Sequence, residues 1–120
     1  MRFFKRGEIA VSKFTFLDML SGEPIDVSNA TFIIVYYSGL VETEITQAAL
    51  EKLLNKTGEY ICQWEIPNTV PENETYFVTA KGTHPDGSTT LIEDFYRVVS
   101  DNYFSNGASI GGMVAKFTKS

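Results

Sequence analysis

The run Gly58-Glu59-Tyr60-Ile61-Cys62-Gln63-Trp64-Glu65-Ile66-Pro67 constrains the fold more than any other part of the chain. Tyr60, Cys62, Trp64 and Ile66 recur at every second position, and the polar set Glu59, Gln63 and Glu65 between them is broken only by Ile61. Side chains that alternate with a period of two belong to an extended strand with one buried face; a helix would scatter these four around its circumference. Pro67 ends the strand because it has no N–H to give to a ladder.

Other segments carry the same signal. Ala30 to Ser38 holds Phe32-Ile33-Ile34-Val35-Tyr36-Tyr37, apolar at both parities, which predicts a strand covered on both sides. Leu40 to Ile45 sets Val41, Thr43 and Ile45 against Glu42 and Glu44, the pattern of a half-exposed strand. Thr75 to Gly82, with Tyr76, Val78 and Ala80 inward, and Thr89 to Val99 form a hairpin around the turn Pro85-Asp86-Gly87-Ser88. Glu8 to Asp18 is a strand whose apolar parity changes near Ser12, which predicts a bulge or a change of partner there. Ser21-Gly22-Glu23-Pro24 reads as a turn. The only helical spacing is Ala49, Leu50, Leu53 and Leu54, which predicts a short helix over Gln47–Asn55 with Thr46 as its N-cap. About six strands at this spacing describe an all-β sandwich with one short helix.

A chain of 120 residues is one domain. Nine Phe and six Tyr suit pleated surfaces. The net charge of −5 argues against nucleic acid as a main partner, because phosphate binding calls for a basic face. Arg2, Lys5 and Arg6, interleaved with Phe3 and Phe4, are too few to be a specific signal and read first as a solvated terminus, second as a docking arm. Cys62 is the single cysteine, so no disulfide forms within the chain, which points to a reducing cytoplasm. No apolar run is long enough to span a bilayer, and no apolar segment follows the basic start as in an export signal. On that reading the Asn-x-Thr triplets at Asn29, Asn55 and Asn73 are chance matches.

Catalytic chemistry has little to build on. The single His84 precedes Pro85-Asp86-Gly87 and reads as a surface turn residue. One His and one Cys do not make a zinc site, and a Cys62–His84 nucleophile pair is disfavoured by the inward position of Cys62 beside Trp64. Glu42 with Glu44, and Glu93 with Asp94, are carboxylate pairs that solvated strand faces explain. Asp86 is at most a weak calcium ligand, and no phosphate loop or cofactor motif is present. Trp64, Tyr36, Tyr37, Tyr60, Tyr76 and Tyr96 are candidates for a sugar-stacking platform. Alternation assigns Tyr60, Trp64 and Tyr76 to the core and leaves Tyr96 and Tyr103 for an interface.

The Gly58–Pro67 strand, Thr75-Tyr76-Phe77-Val78, Pro85-Asp86-Gly87 and Asp94-Phe95-Tyr96-Arg97-Val98-Val99 together resemble the later strands of immunoglobulin-like domains, a kind common in tailed-bacteriophage virion proteins and bacterial surface proteins. The resemblance covers Gly58 to Val99 well and the first half loosely. It implies an immunoglobulin-like β-sandwich over residues 8–99; the basic, aromatic start is read as an N-terminal arm, 1–7, and the small, polar, Gly-rich composition from Ser100 as a C-terminal arm, 100–120, in which Met113 to Thr118 suits one further short strand. It further implies a non-enzymatic structural component of a virion (capsid, neck, tail or baseplate), assembled in the host cytoplasm. Its partners would be other virion proteins and copies of itself, with no specific nucleic acid, membrane, metal or cofactor. The expected contact residues are Phe3, Phe4, Tyr103, Phe104, Ile110, Met113, Val114 and Phe117. The alternative is a glycan- or host-surface-binding module of the same fold.

Overall fold

A computed structural model describes residues 1–100 and contains, among them, strands and turns but no helix. The strands are β1 (Arg2–Phe4), β2 (Ile9–Thr15), β3 (Ser28–Ser38), β4 (Val41–Ala49), β5 (Glu51–Lys52), β6 (Glu59–Glu65), β7 (Glu74–Thr83) and β8 (Thr89–Val98). They form a five-stranded sheet in the order β1-β8-β7-β3-β4 and a three-stranded sheet in the order β2-β6-β5. The expected arm 100–120, with its short strand Met113–Thr118 and the candidates Tyr103, Phe104, Ile110, Met113, Val114 and Phe117, lies outside the described residues, apart from Ser100.

Alternation explains how the two sheets share one core. Tyr60, Cys62 and Trp64 on β6 bury their side chains, as do Tyr76, Val78 and Ala80 on β7, Phe32 and Ile34 on β3, and Ala10 and Phe14 on β2. Each large apolar side chain taken from water contributes about 1.5–3 kcal/mol. The Trp64 ring packs 5.7 Å from that of Tyr76 and stacks 6.4 Å from that of Tyr96, so the centre of the core is aromatic. The polar ends of two of its tyrosines are satisfied: Tyr76 donates its hydroxyl to the Pro71 carbonyl at 2.5 Å, and Tyr60 donates to the Val27 carbonyl at 3.0 Å.

Four expectations change. The helix over Gln47–Asn55 is replaced by extended chain: Thr46, Gln47, Ala48 and Ala49 pair with Ile34, Ile33, Phe32 and Thr31, and Glu51 and Lys52 then pair with β6. A nine-residue helix gains few internal hydrogen bonds for its nucleation cost, whereas pairing with an existing strand satisfies every residue. Only Leu50 of the helical set is buried, and Leu54 is exposed. Second, no bulge occurs at Ser12, because β2 pairs with β6 in unbroken register from Ile9↔Glu65 to Thr15↔Glu59. Ser12 is a buried polar residue on the same face as Ala10 and Phe14. Third, the N-terminal segment does not stand off as an arm: β1 pairs in parallel with β8 (Arg2↔Tyr96 to Phe4↔Val98), and Phe4 packs edge-on to Tyr96 at 5.2 Å. Fourth, β3 has only its inner side against the other sheet. Its outer side is shielded by neighbouring side chains, and no second layer of strands lies over it among the described residues.

The turns obey local chemistry. Gly87 takes a φ of 92°, and Asp86 Oδ1 accepts from the Ser88 amide at 2.9 Å, which closes the β7–β8 hairpin. Asn29, Asn55 and Asn73, the three asparagines of the Asn-x-Thr triplets, all have positive φ, and Asn29 lies where the β3–β7 register shifts. Asparagine tolerates that conformation better than other side chains, which accounts for its recurrence at these three bends.

Candidate interaction face

The outer side of the five-stranded sheet is built by the residues out of phase with the core. Cross-strand register sets Phe95 beside Phe77, Phe77 beside Val35, and Val35 beside Glu44. One step along the strands, Glu93, Thr79, Ile33 and Gln47 form the next row, and Leu91, Lys81, Thr31 and Ala49 the row after it. Directly opposed side chains in a sheet share a face, so the apolar members Phe95, Phe77, Val35, Ile33 and Leu91 are neighbours.

Their contacts bear this out. The Phe77 ring lies 6.1 Å from Phe95 on one side and 5.6 Å, nearly edge-on, from Tyr37 on the other. Val35, the cross-strand neighbour of Phe77, is only 6% exposed although it is outside the core cluster. The face itself meets solvent: Phe95 is 46% exposed, Tyr37 42% and Leu91 66%. Contiguous aromatic and aliphatic surface of this kind is costly to leave in water and is typical of contact sites. Beside it, a concavity is lined by Thr31, Ile33, Gln47, Thr79, Lys81 and Leu91.

Carboxylates edge this apolar surface. The Tyr37 hydroxyl donates to Glu42 Oε1 at 3.0 Å, and that hydrogen bond, with the negative charges of Glu42 and Glu93, raises the phenol above its ordinary range. Glu42, Glu44 and Glu93 take no part in an ion pair among the described residues.

A second polar cluster lies at the open side between the sheets. Asp94 Oδ2 accepts from the Ser12 hydroxyl at 2.7 Å and from the Arg2 guanidinium. Arg2 also donates to the Val11 carbonyl and sits 5.6 Å from the centroids of both Phe4 and Tyr96. Every polar group here has a partner within the chain, so the cluster acts as a clasp that holds β1 and β2 to β8.

The single-residue candidates settle differently. His84 is buried, not at the surface: its Nε2 lies 2.6 Å from Thr90 Oγ1, and its backbone closes the hairpin. Cys62 faces inward as its parity demands, and burial, helped by the negative charge of Asp94, pushes its thiol up to about 12. Tyr96, expected to be free for an interface, is 1% exposed. With Tyr60, Trp64 and Tyr76 also buried, and Tyr36 partly buried with its ring 5.4 Å from that of Tyr76, Tyr37 is the exposed member of the suggested sugar platform. Phe3 is at the surface of β1 opposite Arg97, whereas Phe4 is partly buried against the core. Among the described residues no three His, Cys, Asp or Glu side chains gather as a metal site would require.

Sequence reasoning did not single out Phe77, Phe95, Val35, Ile33 or Leu91 as a face. The signal that could have found them is the second parity: strands whose inward positions are already filled by Tyr76, Val78 and Tyr96 still carry Phe77 and Phe95 between them. Comparison of the chain with known proteins finds no matching family model, no matching characterised protein and no matching solved structure.

Proposed function

We propose that this chain is a non-enzymatic, immunoglobulin-like structural module of a tailed-bacteriophage virion, and that it engages a neighbouring protein through the outer face of its five-stranded sheet. The row Tyr37–Phe77–Phe95 beside Val35 carries the proposal, since it is an exposed apolar surface with no role in the core. The immunoglobulin-like reading draws support from the strand orders β1-β8-β7-β3-β4 and β2-β6-β5, and from the Tyr76–Pro71 hydrogen bond, which is like the tyrosine corner of such sandwiches. Fold likeness does not determine activity, so the functional weight rests on the face.

A neighbour that covers the face removes its apolar area from water and meets carboxylates at its edge, which favours a partner with apolar anchors and flanking cations. The test is incorporation. Particles from the source would be imaged, and the occupancy of the wild-type chain compared with that of Phe95→Lys. The variant keeps its core, because Phe95 lies outside it, and should be under-represented in assemblies. Normal occupancy of the variant, or a wild-type chain present only as a free monomer, overturns the proposal.

A further inference from the structure

We infer that in the free chain the outer aromatic face is covered by the chain's own residues 113–119, with Phe117 as the anchor. This inference rests on the reading of that face as a contact surface and concerns its regulation: a partner gains the face by displacing the segment.

Three observations select this occupant. The first is reach. The chain leaves β8 at Ser100, whose amide lies 3.4 Å from Asn73 Oδ1, directly beyond Phe95 and Arg97. The sixteen residues from 101 to 116 span up to about 50 Å when extended. Four adjacent strands are only about 15 Å across, so the segment has ample slack to turn back. Gly107, Gly111 and Gly112 permit that reversal at little steric cost.

The second observation is charge. Lys116 and Lys119 flank Phe117 in Ala115-Lys116-Phe117-Thr118-Lys119, while Glu42, Glu44 and Glu93 edge the face and form no ion pair among the described residues. An aromatic anchor between cations complements apolar rows edged by carboxylates. The third is shape: the concavity lined by Ile33, Thr79, Lys81 and Leu91 adjoins the aromatic row and offers Phe117 a seat. Tethering favours the same chain over a second copy, because a segment joined by a linker long enough to reach the face has an effective concentration far above that of separate chains in dilute solution.

The experiment uses the full chain with a nitroxide attached at Ser120→Cys, where Cys62 is too buried to compete for the label. Signals of Ile33, Phe77, Leu91 and Phe95 are followed by NMR in dilute solution. The expected result is a loss of their intensity in singly labelled chains, abolished by Phe117→Asp. A mixture of nitroxide-bearing chains with isotope-enriched, nitroxide-free chains should show no loss. Loss in the mixture would mean that a second copy supplies the segment and would overturn the inference, as would undiminished signals in every sample or a loss that Phe117→Asp leaves intact. If occupancy of Phe95→Lys in particles is normal, the partner reading fails whatever the nitroxide reports, so the two failures are distinguishable.

Discussion

Ser12 and Asp94 join the two sheets: the Ser12 hydroxyl, on β2, donates to Asp94 Oδ2, on β8, at 2.7 Å. Ser12 is 2% exposed, so this hydroxyl depends on that carboxylate. Asp94→Ala should cost about 1–3 kcal/mol by stranding it. Arg2→Ala should cost less, since the Arg2 side chain is 45% exposed and its ion pair is screened by water. Urea unfolding of both variants checks the order, and a larger loss for Arg2→Ala would contradict it.

Among the described residues, Gly58 is the least replaceable glycine. Its φ is 74°, and a Cβ there would meet the Ile25 nitrogen and the Phe16 carbonyl oxygen, both at 2.8 Å. Backbone atoms cannot swing aside. Gly39 also has positive φ, at 66°, but nothing lies within 4 Å of its Cβ position. Gly39→Ala should therefore cost about 1 kcal/mol, from strain alone. Gly58→Ala should cost clearly more, as thermal melts of the pair would show.

Phe95 and Tyr96 are adjacent in sequence and lie on opposite faces of one strand. Tyr96→Ala should lose about 3–5 kcal/mol, the usual range for a buried aromatic. Phe95→Thr should lose about 1 kcal/mol, mainly its packing on Phe77. Equal losses in denaturant titrations would mean that the outer row is structural core.

Cys62 should not react with a thiol reagent at neutral pH until the chain unfolds, because burial raises its thiol to about 12. The sign follows: a thiol with a raised folded value binds its proton longer than in the unfolded chain, where it titrates near 8.5. Stability is full below that value and declines as pH rises towards 12. Cys62→Ala should flatten this alkaline decline, read from melts across the range.

Acid acts in the opposite direction. The Gly58 amide donates to Asp26 Oδ1 at 2.7 Å and, with Lys52 nearby, holds the Asp26 carboxyl below its ordinary value. Its contribution is present above about pH 4, the unfolded value, and is lost as pH falls through the lower folded one. Asp26→Asn should reduce the steepness of acid unfolding, measured by fluorescence of Trp64.

Much of the strand pattern was legible because period-two burial is a local property. Tyr60, Cys62 and Trp64 declare their face whatever their partner, as do Tyr76, Val78 and Ala80. Pro85-Asp86-Gly87-Ser88 encodes its turn through backbone preferences of its own residues. The helix over Gln47–Asn55 was misread for the converse reason: Ala49, Leu50, Leu53 and Leu54 have helical spacing, but the availability of β3 as a partner decides the conformation of that segment.

The sequence alone determined the all-β class, the inward sets of the β6 and β7 strands, and the buried thiol, since each follows from alternation within one strand. Tertiary structure decided that Arg2 clasps Asp94, that His84 turns inward to Thr90, and that Tyr37, Phe77 and Phe95 lie side by side. These relations join residues far apart in the chain, or depend on which way a side chain turns once its neighbours are in place. Only the order and register of the strands bring such groups together, and no local pattern specifies them.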